Sequence, residues 1–130
     1  MEASVGRTRI PRVLVVDDDG NVREMLADLL AVWGYDVDVA ADGTEGATLF
    51  QREPYDLVLT DFRMPGASGL DLVEAVRHAD RSVGIIMLTA SVEDLEDQRR
   101  RFGFALLRKP LQIGDLRAAV TQALGRPVAT

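Results

Sequence analysis

The chain has 130 residues, of which 47% are hydrophobic, and a formal net charge of −6, so it fits one compact domain with its own core. It has no cysteine and one histidine, His78, which excludes disulfides, thiol catalysis and zinc sites built from cysteines or several histidines. The acidic balance argues against a nucleic-acid-binding surface, and no apolar run approaches the roughly 18 residues that a membrane span needs.

Apolar runs and segments of helical period alternate along the chain. The first run, residues 12–16, is a continuous apolar strand candidate, and residues 21–33 carry apolar side chains at helical spacing. Asn21 with Glu24 resembles a helix-start pairing. Asp19 is interpreted as a cap of the same helix in preference to a metal neighbour.

The same alternation continues to the end of the chain. Further strands are predicted at residues 36–40, 57–60, 84–88 and 104–107, and further helices at about 44–52, 70–79, 92–101 and 114–124. Residues 1–11 are predicted to be a disordered lead-in and residues 125–130 a tail. The folded domain is therefore predicted at residues 12–124.

Five strands alternating with five helices predict an α/β fold. Right-handed crossovers between such units give a parallel sheet covered by helices on both faces. For this length we predict a flavodoxin-like, doubly wound (βα)5 fold with strand order 2-1-3-4-5. Ligands of such sheets bind beyond the carboxyl ends of the strands, at the switch point between strands 1 and 3.

Polar residues end four of the five predicted strands. They are Asp17, Asp18 and Asp19 after the first strand, Asp61 after the third, Thr89 after the fourth and Lys109 after the fifth. Carboxylates gathered at one edge repel each other, and one of them would stay protonated without compensation. Mg2+ supplies that compensation through oxygen ligands, and Lys109, the only lysine in the chain, adds a second positive charge.

A metal, a carboxylate, a hydroxyl and an ammonium around one polar space suit phosphoryl transfer, which depends mainly on positioning and charge neutralisation. A carboxylate can itself be the nucleophile and form an aspartyl phosphate. Asp61 is the predicted acceptor because it is central, with Asp17 and Asp18 to one side as metal holders.

Four motifs at strand ends carry a family resemblance. The segments Val13 to Asp19, Thr60 to Gly66, Met87 to Ala90 and Lys109-Pro110 resemble the receiver domain of bacterial two-component response regulators, the CheY-like family. The resemblance covers residues 12–124. Each motif alone is common, and their order along the chain is what makes the match specific.

The resemblance implies a role for each matching residue. For the metal, Mg2+ or Mn2+ in its place, it implies Asp18 as a direct ligand, Asp17 as the acid that holds metal-bound waters, and Asp61 and the backbone carbonyl of Arg63 as further ligands. For the phosphoryl group it implies Asp61 as acceptor, the Thr89 hydroxyl and Ala90 N–H as hydrogen-bond donors, and Lys109 as ion-pair partner. Pro110 would hold the following loop, in this family often through a cis bond.

The resemblance also implies partners. The phosphoryl donor would be a sensor histidine kinase or a histidine phosphotransfer protein, and output would use the surface of helix 4, strand 5 and helix 5, with weak phosphorylation-dependent homodimers possible. We predict a cytoplasmic protein without direct nucleic-acid or membrane binding, and not an enzyme that turns over an external substrate. It would be a stand-alone regulator or part of a larger regulator or hybrid kinase.

The sequence departs from the family at one position. An aromatic residue usually lies three residues before the lysine, and Leu106 takes that place, with Phe104 on the same side of the strand. This puts the usual aromatic switch in question, and the compressed segment before it predicts a short or irregular helix 4. The Arg63 side chain is interpreted either as an influence on phosphoryl hydrolysis or as a solvent-exposed group.

Two other classes of function remain: a receiver-like interaction module, and an enzyme on a similar α/β scaffold, such as a phosphatase or a flavin-binding protein. A receiver-like interaction module that takes no phosphate should lack Asp61, Asp18 or Lys109, and all three are present. A phosphatase using an aspartyl phosphate needs a second acid two residues after its nucleophile, where this chain has Arg63. A flavin-binding protein needs a glycine- and hydroxyl-rich loop after the first strand, where this chain has acids that repel phosphate.

Overall fold

The computed structural model of the chain describes residues 10–64, 66–90 and 94–125. Most of the predicted lead-in, Pro65, the predicted start of the fourth helix at Val92 and nearly all of the predicted tail lie outside the described residues. The predicted domain limits therefore stay a prediction. None of the described helices has the length and hydropathy to cross a membrane.

Strands and helices alternate as predicted. In chain order they are β1 (Arg12–Val16), α1 (Gly20–Val32), β2 (Asp36–Ala40), α2 (Gly43–Arg52), β3 (Leu57–Asp61), α3 (Gly69–Ala79), β4 (Gly84–Thr89), α4 (Glu96–Phe102), β5 (Ala105–Arg108) and α5 (Ile113–Leu124). All strands are parallel and lie in the order β2-β1-β3-β4-β5. The predicted fold and strand order are confirmed.

The sheet separates two apolar layers. Successive residues of a strand point to opposite faces, so Val13 and Val15 of β1 pack in one layer and Leu14 and Val16 in the other. The first layer joins the sheet to α1 and α5, and the second joins it to α2 and α3. Because both faces are covered, the inner strands β1, β3 and β4 are mostly apolar, and their polar residues lie at or next to the ends, whereas the edge strand β2 carries Asp36 and Asp38.

The start of α1 differs from one prediction. The cap of α1 is Asp19, whose carboxylate accepts from the N–H groups of Asn21 and Val22, so the predicted pairing of Asn21 with Glu24 is wrong and the Asp19 cap is correct. The reason is that the helix begins at Gly20, which places Asn21 inside its first turn.

The fourth helix is short, as the compressed segment before β5 predicts, but it begins later than predicted. Asp94 and Leu95 are not helical, and α4 begins at Glu96, because the Asp94 carboxylate accepts the Glu96 N–H in a turn that precedes the helix. The left-handed Gly103 ends α4, and pairing with β4 starts only at Ala105. Strand β5 therefore lies one residue later than predicted.

Arg77 ties α3 to the end of α4. Its guanidinium donates hydrogen bonds to four main-chain carbonyls, those of Phe102 and Gly103 at the end of α4, and of Asp80 and Val83 before β4. Helix carbonyls at a C-terminus have no partner within the helix, so an external donor stabilises them. Burial lowers the pKa of Arg77, and the nearby Asp80 carboxylate opposes that shift.

A polar network surrounds Arg12 at the amino end of β1. The Arg12 guanidinium lies 2.7 Å from an Asp38 oxygen, 2.8 Å from Glu53 and 3.4 Å from Asp36, and it stacks over the Tyr55 ring. The Tyr55 hydroxyl donates to the same Asp38 oxygen at 2.7 Å. These contacts join β1, β2 and the end of α2 far from the carboxyl ends of the strands.

Candidate functional site

The carboxyl ends of β1 and β3 bring three acids together. Val16 and Thr60 are register partners in the sheet, so Asp17 follows one strand just as Asp61 ends the other. Carboxylate oxygens of Asp17, Asp18 and Asp61 all lie within 4.8 Å of one another. The convergence predicted from the strand order is present.

Asp17 is the most buried member of this acid cluster, which we define as Asp17, Asp18 and Asp61. It is 1% exposed, and its Oδ1 accepts the Asp19 N–H at 2.9 Å. Its Oδ2 has no hydrogen-bond partner among the residues that the structure describes. Burial raises the pKa of Asp17, and the Asp61 and Asp18 charges act in the same direction against the Asp19 hydrogen bond and the Lys109 charge.

The acid cluster fits a hard divalent cation. A buried carboxylate oxygen without a partner is costly, and a cation bound there would remove that cost. The donors on all three side chains are carboxylate oxygens, the ligand type that Mg2+ and Mn2+ prefer over nitrogen or sulfur. Asp18 is exposed, which leaves one side of the cluster open to water.

Lys109 approaches the cluster from β5. Its Nζ lies 3.0 Å from Asp61 Oδ1, in a half-buried ion pair. Burial alone would lower the pKa of Lys109, but the hydrogen bond to Asp61 and the charges of Asp61, Asp17 and Asp18 outweigh it, so the pKa is raised. The ammonium is therefore charged throughout the physiological range.

A small cavity adjoins the acid cluster. It has a volume of about 210 Å3 and is lined by Asp61, Arg63, Thr89, Ala90 and Lys109. Thr89, at the end of β4, is 1% exposed, and Asp61 is 8% exposed. Asp61 belongs both to the acid cluster and to the wall of this cavity, so a group bound in the cavity and a cation on the cluster would meet at one carboxylate.

The ends of β4 and β5 are joined behind the cavity. The Lys109 N–H donates to the Thr89 carbonyl at 2.9 Å, and the peptide bond between Lys109 and Pro110 is cis, as the family resemblance implies. The lysine and the threonine are thus held by one backbone contact. A shift of one strand end would reach the other directly.

Four further polar or aromatic residues have defined surroundings. Thr60 is fully buried, and its hydroxyl donates to the Asp61 carbonyl at 3.0 Å, so it belongs to the core and not to the cavity wall. His78 is exposed late in α3, and Trp33 packs in the α1 and α5 layer with Arg117 stacked over its ring. Arg63 is exposed, and its guanidinium lies over the Phe62 ring.

Two residues near the site were not predicted from the sequence. A Cβ added at Gly69 would lie 2.3 Å from the Asp61 carbonyl oxygen and 2.9 Å from Phe62 Cα, so Gly69 permits a close approach of α3 to the end of β3. Arg23 donates to the Asp17 carbonyl at 2.8 Å. The sequence signals were a glycine among other turn formers and an arginine in a polar helix turn, and neither pattern reports a tertiary contact.

Comparisons with known proteins agree with this geometry. The profile of the response regulator receiver domain matches residues 13–121. The response regulator protein PilR of Pseudomonas aeruginosa is 37% identical over 115 residues, which are 87% of this chain and 26% of PilR. The DNA-binding response regulator MtrA of Mycobacterium tuberculosis is 42% identical over 85 residues, which are 65% of this chain and 37% of MtrA.

Solved structures lead to the same family. The crystal structure of the response regulator protein TrrA of Thermotoga maritima, in complex with Mg2+ and BeF, has a TM-score of 0.82 at 35% identity and covers 88% of this chain and 100% of that chain. The chain spans about a quarter of PilR and just over a third of MtrA. With the matching profile, fold and strand-end residues, the chain belongs to the response regulator receiver domain family, the signalling domains of two-component systems.

Proposed function

We propose that the chain accepts a phosphoryl group on Asp61 from a phosphohistidine donor, in a reaction that requires Mg2+. The observation that carries this proposal is the position of Asp61, which is shared between the acid cluster and the cavity lined by Thr89, Ala90 and Lys109. The donor would be a sensor histidine kinase or a histidine phosphotransfer protein.

In the proposed reaction an Asp61 carboxylate oxygen attacks the phosphorus. A P–O bond forms, the P–N bond to the donor histidine breaks, and its electron pair stays on the imidazole nitrogen. Asp17, Asp18, Asp61 and the backbone carbonyl of Arg63 would hold Mg2+, or Mn2+ in its place. When bound, the cation neutralises charge on the transferring phosphoryl oxygens.

The cavity residues have separate tasks in this reaction. Lys109 is charged and close to Asp61, so it can exchange its carboxylate partner for a phosphoryl oxygen without a change of protonation. Thr89 and Ala90 line the same cavity, and the hydroxyl of the first and the N–H of the second would donate to the remaining phosphoryl oxygens. A shift of Thr89 toward the phosphoryl group would pull on Lys109 through their backbone hydrogen bond.

We propose that this shift changes the surface of α4, β5 and α5 and so controls partner binding. A groove of about 1010 Å3 runs along these elements, with Glu96 and Arg99 of α4, Leu106 of β5 and Asp115 of α5 among its lining residues. A second phosphorylated copy of the chain is one partner that this surface could take, as a weak homodimer.

The response of this surface would not use an aromatic side chain at the position three residues before the lysine. Leu106 is half-buried there, and Phe104 is 3% exposed in the same apolar layer. Moving Phe104 outward would expose a large buried side chain, which costs roughly 1.5–3 kcal/mol. We therefore propose that Leu106, which is already half-exposed, follows the movement of Thr89.

Several sequence predictions stay predictions at this stage. They are the cytoplasmic location, the absence of direct membrane and nucleic-acid binding, and the absence of turnover on an external substrate. The relative MtrA is named a DNA-binding response regulator, and this chain matches 37% of its length. DNA binding of that relative therefore bears on the whole regulator, and the prediction for this chain concerns the receiver domain alone.

The phosphorylation proposal is tested with acetyl phosphate and Mg2+ on wild type, Asp61→Asn and Asp28→Asn. Asp28 is an exposed acid of α1 away from the strand ends and provides the matched control. Wild type and Asp28→Asn should gain the mass of one phosphoryl group, and only when Mg2+ is present. Borohydride trapping with peptide mapping should place that group on Asp61. Equal labelling of Asp61→Asn would refute the assignment.

A further inference from the structure

Arg23 connects the first turn of α1 to the backbone of the acid cluster. Its guanidinium is half-buried and donates to the main-chain carbonyl of Asp17 at 2.8 Å. Strand β1 ends at Val16, so this carbonyl lies beyond the last residue of the strand, and a buried carbonyl needs a donor. The side chain of Arg23 is that donor.

The Asp17 carbonyl belongs to the peptide unit that joins Asp17 to Asp18. The Asp17 N–H donates to the Ala40 carbonyl at 3.2 Å, and Asp17 Oδ1 accepts from Asp19. With the Arg23 contact, hydrogen bonds hold this segment on both sides of the peptide unit. Fixing the plane of that unit fixes the directions in which the Asp17 and Asp18 side chains leave the backbone.

The position of Arg23 is unfavourable for its own helix. A cation in the first turn opposes the helix dipole; α1 has no acidic residue inside that turn, although the capping carboxylate of Asp19 offsets part of the cost. A positive charge near the acid cluster also repels a bound divalent cation. Both electrostatic effects argue against an arginine at this place unless its hydrogen bond to Asp17 provides something in return.

We propose that Arg23 is a positioning residue for the metal site, which holds the Asp17–Asp18 peptide unit in the orientation that lets both carboxylates reach one cation. This inference rests on the proposed function, because it concerns the same acid cluster. Residues that orient metal ligands change metal affinity by roughly 10- to 100-fold when they are removed.

The test measures binding of Mn2+ alone by its electron paramagnetic resonance signal, without a phosphoryl donor. The variants are Arg23→Met, which keeps an apolar stem without a donor, and Arg23→Lys, which keeps the charge and a donor. Arg52→Met is the control for the change of charge. Arg52 is exposed and is the last residue of α2, away from the carboxyl ends of the strands. Thermal unfolding of each protein is recorded in parallel.

A positioning role and a pure charge effect predict opposite changes in the Mn2+ affinity of Arg23→Met. If Arg23 positions the acids, Mn2+ affinity falls about 10-fold or more, at low and at high salt, and Arg23→Lys recovers most of it. If only charge acts, Arg23→Met binds Mn2+ more tightly than wild type at low salt. If Arg23 only stabilises the fold, Mn2+ affinity is unchanged and the unfolding temperature falls.

Either of the last two results overturns the inference. The proposed function fails separately, since it requires that wild type itself binds Mn2+ at this site and that Asp17→Asn weakens this binding. A wild type that binds Mn2+ normally, with an Arg23→Met variant that binds it equally well, would leave the proposed function in place and remove only the role of Arg23.

Discussion

Replacing Gly69 by alanine should damage the site without touching a polar side chain. Gly69 is the first residue of α3 and donates its N–H to the Phe62 carbonyl at 2.8 Å. The new Cβ would lie 2.3 Å from the Asp61 carbonyl oxygen, against the 3.4 Å or more of an ordinary contact. The start of α3 and the end of β3 must therefore separate by about 1 Å.

A shift of this size should appear in both stability and reactivity. Overpacking of this kind costs about 1–3 kcal/mol of unfolding free energy. Because the contact is to the main chain of Asp61 itself, misplacement by about 1 Å should also slow phosphorylation by roughly 100-fold. Urea unfolding gives the first quantity, and the initial rate of phosphorylation by acetyl phosphate with Mg2+ gives the second.

Gly114→Ala is the matched control. Its added Cβ has no heavy atom within 4 Å, and its φ is not in the left-handed region, so this change in α5 should stabilise the fold by about 0.4–1 kcal/mol and leave the rate unchanged. If Gly69→Ala unfolds and reacts like wild type, the close approach of α3 to Asp61 is not needed, and the reasoning is wrong.

Three other predictions follow from the contacts described above. Without metal, Asp17→Asn should raise the free energy of unfolding at pH 7 by about 1 kcal/mol or more, because burial makes the charged Asp17 carboxylate costly. This gain should vanish below the ordinary carboxyl pKa of about 3.9, where the Asp17 carboxyl group of the wild type is protonated and uncharged, and added Mg2+ should stabilise the wild type only. Arg77→Met should lower the free energy of unfolding in urea by about 2–3 kcal/mol, since four carbonyls lose their donor, whereas the exposed Arg81→Met should change it by less than about 0.5 kcal/mol. Burial and the hydrogen bond to the Asp38 carboxylate raise the pKa of Tyr55, so the contribution of the neutral Tyr55 hydroxyl to stability is full below about pH 10 and lost at higher pH. In a Tyr35→Phe variant, where Tyr55 is the one remaining tyrosine, phenolate absorbance should appear only together with the unfolding seen by circular dichroism. Phenolate absorbance in the folded protein would contradict the burial argument.

The fold and the acid cluster were predictable because they depend on periodicity and strand order. Apolar runs mark strands buried on both faces, and a parallel order places all carboxyl ends at one edge, so Asp17, Asp61 and Lys109 must approach each other. Burial is the main cause of the raised pKa of Asp17, and the charges of Asp61 and Asp18 add to it, as expected for gathered acids that need compensation.

The contacts that support the site were not predictable in the same way. Gly69 stood in the sequence as one of several turn formers, and its role depends on how closely two elements approach in space. Arg23 and Arg77 looked like ordinary charged helix residues, yet their guanidinium groups bond main-chain carbonyls that are distant or lie in turns. The start of α4 was misplaced because the local turn at Asp94 outweighed the helical pattern around it.

Because one carboxylate serves both the acid cluster and the cavity, the two sites are thermodynamically linked. If the bound cation raises the affinity of the cavity for an anionic group by some factor, the bound anionic group raises the affinity of the acid cluster for the cation by the same factor. Metal binding measured on the free protein therefore underestimates, by this factor, how firmly the metal is held while the cavity is filled. The metal would then stay bound to the filled site at Mg2+ concentrations that are too low to occupy the free acid cluster.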